Sequence, residues 1–275
     1  MKKYKRNQRI GALMKFFAEQ PNHIFSYNYF SEVFNAAKST ISEDVLIVKN
    51  LVEEFNYGKI NTIVGASGGV VFIPKISNEE ISNILEELCG VFSDPKRIIA
   101  GGFIYMTDIF NSPYYAQNIA KTIVSLYSDK KVDYVVTVET KGIPVALMTA
   151  KEMDVPLIVI RRNTKVTEGS TLSINYVSGS SNKIQTMTLS RRALKEGSKV
   201  LLVDDFMKGG GTIKGMKDMM NEFNAQVEGV AVVVETKTPE KKLSKDYNSL
   251  LTLEKVDEEN KIIDIRPNEL KGFEE

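Results

Sequence analysis

Lys199-Val-Leu-Leu-Val-Asp-Asp-Phe-Met-Lys-Gly-Gly-Gly-Thr212 is the stretch whose reading decides the fold. Residues 200–203 form an apolar run of strand length that ends at two adjacent carboxylates, Asp204 and Asp205. Lys208 and three glycines, Gly209, Gly210 and Gly211, then lead into a helical pattern that opens at Thr212. Glycines let successive backbone N–H groups converge on one anion, and the helix that follows adds its positive end. The turn therefore reads as a phosphate cradle built from main chain, and the carboxylates suit ribose hydroxyls or a magnesium ion. Neither of two better-known phosphate loops fits. A Walker loop needs Gly-x-x-x-x-Gly-Lys-Ser/Thr, and the dinucleotide fingerprint places its glycines before its acid.

Strand and helix alternate around this stretch. Residues 132–138, 156–160 and 227–234 read as strands, and residues 143–153 and 213–223 as helices. The strand runs lack polar alternation, which belongs to strands covered on both faces, so the spacing predicts a parallel α/β sheet with ligands at its carboxyl ends. The residues expected there are Thr140, Lys141 and Gly142, then Arg161 with Arg162, then residues 204–212. Two cationic groups and an anion nest around a carboxylate pair suit a ligand with two phosphate centres joined by a sugar. Residues 163–190 are dense in Ser, Thr, Asn and Gly but contain two alternating segments, residues 171–177 and 183–189. They predict a mobile hairpin that covers the site. Residues 103–109 read as a short extended piece, and residues 250–256 and 261–265 as a small hairpin in a subdomain beside the sheet.

The N-terminal part has a different pattern. Lys2, Lys3, Lys5, Arg6, Arg9 and Lys15 all precede the first acid, Glu19. Ile10, Leu13, Met14 and Phe17 recur at helical spacing, so a basic amphipathic helix is expected over residues 6–20. A second helix is expected after Ser26. In a third, Ile41, Val45, Val48, Val52 and Phe55 form the expected buried stripe, and either Thr40 with Glu43 offers a capping box or the helix begins a turn earlier near Asn35. The first turn of that helix, with Lys38, Ser39, Thr40 and Ser42, is polar and free of acids. Period 2 then replaces period 3.6 in residues 59–64 and 70–73, around a glycine-rich tip that includes Ser67. Three helices and a hairpin in this order are the pattern of a winged helix-turn-helix, whose recognition helix enters the major groove. The expected domains are residues 1–75 and 76–275.

Composition excludes several classes of function. The chain has 275 residues, a net charge of +1 and 43% hydrophobic residues, which is ordinary for a globular protein of two domains. A single histidine, His23, leaves no histidine-rich metal site and no Ser-His-Asp triad within one subunit. The one cysteine, Cys89, forbids an intrachain disulfide and reads as buried filler. No apolar run reaches membrane length, so a cytoplasmic protein with no membrane partner is expected.

The Asp-Asp then Gly-Gly-Thr order resembles the type I phosphoribosyltransferase fold, which binds phosphoribosyl pyrophosphate (PRPP). Residues 37–44, 140–144, 165–170, 173–182 and 204–212 together resemble the purine operon repressor family of Gram-positive bacteria over nearly the whole chain. That family joins a winged helix to a phosphoribosyltransferase-like domain. The resemblance implies a non-enzymatic homodimer that binds operator DNA of purine synthesis and salvage genes, with PRPP and Mg2+ as the signal that weakens repression; some members are activators. It places Asp204 and Asp205 on the ribose hydroxyls and magnesium, residues 208–212 on the 5′-phosphate and Lys141 on the pyrophosphate. Lys38, Ser39, Thr40 and Ser42 would meet DNA, with Lys5, Arg6 and Arg9 on its backbone and Ser67 in the wing. No metal site is expected from protein alone. A guanosine polyphosphate alarmone, which also carries pyrophosphate, would compete for the same pocket. The alternative that stays open is a working purine phosphoribosyltransferase with an added N-terminal domain. Against its 6-oxopurine version stands Lys208, where those enzymes carry an acid near the base.

Overall fold

The computed structural model describes residues 3–65, 68–164, 166–177 and 183–270. The chain divides into two compact units, Met1–Ser77 with Lys151–Asp154, and Asn78–Ala150 with Val155–Glu275.

The first unit runs α1 (Arg6–Glu19), β1 (Ile24–Phe25), α2 (Tyr27–Phe34), α3 (Lys38–Glu54), β2 (Gly58–Ile63) and β3 (Gly69–Pro74). This is the order of a winged helix, with strands arranged β1-β3-β2 and all antiparallel. Ser26 caps α2, its hydroxyl accepting the Tyr29 N–H at 3.1 Å. The apolar stripes of the three helices close on Leu13, Phe17, Phe30, Ile41, Val48 and Val70. Helix α3 begins at Lys38 after Ala37, with no side-chain cap. Thr40 and Glu43 are therefore inside the helix and do not form its capping box.

The second unit opens with α4 (Asn78–Phe92), β4 (Ile98–Ile99), β5 (Phe103–Ile104), α5 (Thr107–Phe110) and α6 (Pro113–Leu126). The expected extended piece over residues 103–109 thus keeps strand geometry for two residues and turns helical at Thr107. There follow β6 (Tyr134–Val138), α7 (Ile143–Met153), β7 (Leu157–Ile160), β8 (Thr171–Val177), β9 (Ile184–Ser190), β10 (Lys199–Met207), α8 (Gly211–Glu222), β11 (Gln226–Thr236), β12 (Asn248–Asp257) and β13 (Ile262–Pro267). Six of these strands make one sheet in the order β13-β12-β11-β10-β6-β7, parallel except for β13. The C-terminal hairpin is not a separate subdomain, because β12 pairs in parallel with β11 and extends the sheet.

The chain leaves β6 toward β7 on one side, while β10 lies on the other. Connections that diverge in this way leave a crevice at the carboxyl ends of the strands between them. Strand β10 is apolar and buried over residues 200–203 but continues past the acidic pair to Met207. Pairing with β11 as far as Met207 holds Asp204 and Asp205 in extended backbone near the carboxyl end of this central strand.

The expected mobile hairpin exists as β8 and β9, yet its stem belongs to the core. Tyr176, Met187 and Leu189 are buried beside Ile213, Met216 and Leu202. Tyr176 and Met187 press so closely on α8 that a Cβ on Gly215 would lie 3.0 Å from the Tyr176 ring and 3.1 Å from the Met187 sulfur. The alternation seen in the sequence gives the stem an apolar face, and burying that face is favourable. Residues 178–182, expected at the tip, lie outside the described residues.

Candidate ligand cleft and nucleic-acid interface

A cleft of about 440 Å3 opens at the crevice beside β6 and β10, lined by residues 138–141, Arg162 and residues 204–212. This is a size suited to a phosphorylated sugar. Asp204 is buried and Asp205 half-buried, the Asp205 N–H donating to Asp204 Oδ1 at 3.1 Å. Burial pushes both carboxyls above their usual range. The Asp205 charge raises Asp204 further, while Lys141 and Arg162 pull the other way on Asp205. Two adjacent carboxylates out of water and short of positive charge have the electrostatics of a cation site that protein alone does not complete.

Among the described residues there is no group of three or more His, Cys, Asp or Glu side chains able to hold a metal. Mg2+ keeps several water or phosphate ligands besides one or two carboxylates. The acidic pair therefore fits a magnesium ion that arrives with a diphosphate.

The glycine turn expected to cradle phosphate runs from the end of β10 into α8 along one wall of the cleft. Helix α8 starts at Gly211 behind Gly210, which sits at φ +78°, a conformation that favours glycine. Lys208 is exposed at the lip and Thr212 faces the cleft. Across the cleft, Thr140 and Lys141 are exposed after a cis Glu139–Thr140 peptide. Gly142 lies beneath them, not on the lining. A Cβ there would come 2.8 Å from Thr137 Oγ1 and 3.5 Å from Asp204 Oδ1, so the lack of a side chain lets this loop settle against the acidic pair.

Arg161 is a correction. Its backbone pairs with Thr188 of β9, and its side chain turns to Glu168 at 3.0 Å and Glu139 at 3.7 Å, outside the cleft. Alternation along an extended chain gives the cleft to Arg162 instead. The sequence already placed two arginines at that strand end; what it lacked was the pairing that fixes their phase. Glu139 and Phe206 also line the cleft without having been singled out. Glu139 Oε1 accepts the Arg162 N–H at 2.6 Å, which ties the loops after β6 and β7 together.

In the first unit, a groove of about 640 Å3 is lined by Lys38, Ser39 and Ser42 of α3, by residues 26–28, and by Thr62, Ile63, Gly65, Gly68 and Gly69 of the hairpin. The N-terminal ends of α2 and α3 both open on it, a favourable setting for phosphate oxygens. Thr40 is half-buried and lies away from the groove, about 200° round the helix from Lys38. Lys5 and Arg6 are exposed, and Arg6 is 3.3 Å from both Glu43 and Asp44.

Arg9 is the second correction, because it is buried and spent inside the protein. Its Nε lies 2.5 Å from Asp44 Oδ2, and its Nη1 donates to the Tyr4 carbonyl at 2.8 Å. Arg9 sits four residues before Leu13 on the buried stripe of α1, and Asp44 four before Val48 on that of α3. Opposite charges on two facing stripes were the available signal. Ser67 lies outside the described residues. Cys89 is half-buried, and burial with the neighbouring Glu86 pushes its thiol up to about 11, so it is protonated at neutral pH. No helix among the described residues is long and apolar enough to cross a membrane.

A winged helix followed by a parallel-sheet unit with a phosphate loop defines a class, and the comparisons with known proteins resolve it. Residues 5–74 match the model described as "Bacterial purine repressor, N-terminal", and residues 106–269 match the "Phosphoribosyl transferase domain". The chain is 43% identical over 271 residues to the purine biosynthesis transcriptional repressor PurR of Bacillus subtilis, covering 98% of this chain and 95% of that protein. It is 41% identical to the purine biosynthesis transcriptional activator PurR of Lactococcus lactis, covering 95% and 97%. Xanthine phosphoribosyltransferase of Exiguobacterium is 32% identical over 124 residues, which is 45% of this chain and 64% of that enzyme. Among solved structures, adenine phosphoribosyltransferase of Thermoanaerobacter pseudethanolicus aligns with a TM-score of 0.53 at 21% identity, over 61% of this chain and 99% of that one, a likeness of fold. The chain belongs to the family of purine biosynthesis transcriptional regulators.

Proposed function

We propose that this protein is a homodimeric, sequence-specific repressor of purine synthesis and salvage genes whose grip on operator DNA is weakened when Mg2+ and PRPP bind the cleft of its second unit. The observation that carries this reading is the buried Asp204–Asp205 pair facing a main-chain phosphate loop. PRPP presents what the cleft lacks: a 5′-phosphate for the loop at residues 208–212, ribose hydroxyls for the carboxylates, and a magnesium-bound pyrophosphate for the side lined by Thr140, Lys141 and Arg162. The magnesium supplies positive charge between the carboxylates and the pyrophosphate. The protein's part is to bind and orient.

On the DNA side, Lys38, Ser39 and Ser42 would reach base edges and phosphates from the start of α3, with Lys5 and Arg6 on the backbone. A two-fold dimer would match palindromic half-sites. PRPP weakens DNA binding only if it binds the DNA-free state more tightly than the bound one. A guanosine polyphosphate alarmone would compete through its own pyrophosphate. The chain's regulator relatives favour binding without turnover.

The test is fluorescence anisotropy of a labelled promoter fragment from a purine-synthesis operon, with and without Mg2+ and PRPP. Selective binding that PRPP weakens supports the reading; binding indifferent to PRPP refutes it. A second reading, a working phosphoribosyltransferase, is favoured by the complete cleft and the stretch shared with xanthine phosphoribosyltransferase. It requires pyrophosphate release from PRPP with a purine base.

A further inference from the structure

The segment between β11 and β12 plays no part in the function proposed above, yet it touches the outside of the phosphate loop at several points. Lys242 Nζ donates to the Lys208 carbonyl at 2.7 Å and also to the Thr236 carbonyl. The Leu243 N–H donates to the Gly209 carbonyl at 2.8 Å. A Cβ on Gly210 would meet Ser244 N at 3.0 Å and Leu243 N at 3.2 Å, so segment and loop lie flush. The segment is itself anchored, since Lys217 Nζ of α8 donates to the Lys245 carbonyl at 2.7 Å.

These bonds decide where the loop's own donors point. Across a trans peptide, C=O and N–H are antiparallel. The only cis bonds in the described chain are Glu139–Thr140 and Thr238–Pro239, so the peptides after Lys208 and Gly209 are trans. Drawing the Lys208 and Gly209 carbonyls toward Lys242 and Leu243 turns the N–H groups of Gly209 and Gly210 the opposite way, which is toward the cleft. Convergent amides of this kind make an anion nest.

We infer that Lys242 is a positioning residue for the 5′-phosphate: its ammonium fixes the Lys208 carbonyl and seats Leu243 on the Gly209 carbonyl, so that the loop's amides are aimed before ligand arrives. This rests on the PRPP reading of the cleft. Lys242 does not line the cleft, and it acts on the ligand only through the phosphate loop, whose Lys208 carbonyl it holds. The lip that carries Thr140 and Lys141 is built on a different strand end.

The test is calorimetric titration of the full chain, native and Lys242→Met, with PRPP and with ribose 5-phosphate in the presence of Mg2+; pyrophosphate is measured by displacement of PRPP. Loss of one set of aimed donors predicts that Lys242→Met weakens PRPP and ribose 5-phosphate about tenfold and leaves pyrophosphate within about twofold. Unchanged affinity for PRPP overturns the inference, and so does an equal loss for all three ligands, which would mean a general disturbance of the cleft. Should Lys242→Met fail to fold, Lys242→Gln, with a shorter neutral donor, is judged by the same split. If native protein binds no PRPP, the reading of the cleft fails first and the assignment of Lys242 goes with it.

Discussion

The two units treat buried charge in opposite ways. In the winged helix, Arg9 and Asp44 neutralise one another between α1 and α3, and the polar groups that face the groove are exposed. In the sheet unit, the buried Asp204 and half-buried Asp205 stand side by side with their pKa values raised, and no protein cation neutralises them fully. A charge that is paired inside the fold is architecture. One that is buried and left short of a partner would take its partner from a bound ligand.

Four experiments would break or sharpen that contrast, and the largest effect is expected at the acidic pair. Replacing both Asp204 and Asp205 with Asn should weaken Mg2+-dependent PRPP binding by about a hundredfold to ten-thousandfold, from two charge-assisted hydrogen bonds at about 1.5–3 kcal/mol each. The same variant should melt at a higher temperature than native protein without ligand at neutral pH. The sign follows from linkage. Carboxyls with raised pKa values hold protons in the native state that the unfolded chain has released, so stability falls as pH rises from the ordinary carboxylate range through the raised values. In the Asn variant that fall should be absent from a series of thermal melts across pH. A lower melting temperature at neutral pH would mean that the carboxylates hold the fold together.

Next comes Arg9→Met, which leaves the buried Asp44 with only the exposed Arg6, at 3.3 Å, as a cationic partner. Removing one partner of a buried pair costs about 3–5 kcal/mol, and the double variant Arg9→Met with Asp44→Met should recover much of the loss. Urea titration followed by far-ultraviolet circular dichroism measures both. An Arg9→Met protein as stable as native, with weakened DNA binding, would return Arg9 to the DNA interface.

The two adjacent arginines should then separate. Arg162→Ala should weaken PRPP about tenfold, whereas Arg161→Ala should leave PRPP affinity within about twofold. Equal losses would show that the Glu139–Arg161–Glu168 arrangement matters for the ligand. The smallest effect is expected at Lys38. Lys38→Ala should weaken operator binding several-fold and reduce the slope of log affinity against log salt by about 1, with PRPP binding unchanged. Anisotropy at three salt concentrations measures the slope.

How far the sequence could be read follows from the range of the interactions. The strand, acidic pair, glycine turn and helix around Asp204 are local, and the turn is marked by glycines, which take conformations that other residues avoid, so that part of the cleft was legible. The winged-helix order was legible for the same reason, through its apolar stripes. Arg161 and Arg9 were misplaced because their positions depend on distant segments: Thr188 pairs with one and Asp44 with the other. The hairpin β8–β9 was visible by alternation, but its seat on Gly215 of α8 was not, since that requires knowing which side of the sheet α8 covers. Lys242 gave no signal at all, because what it holds are carbonyl oxygens, which every residue has.

That last point bears on how such a site changes through mutation. A cradle made of peptide N–H groups has no side chain to lose, so a replacement within it acts through the backbone, as at Gly210, whose φ of +78° disfavours any other residue. The aim of those donors hangs instead on one lysine codon in a connecting segment. Descendants of this gene could therefore lose or retune the cradle from position 242 while the loop still read as intact.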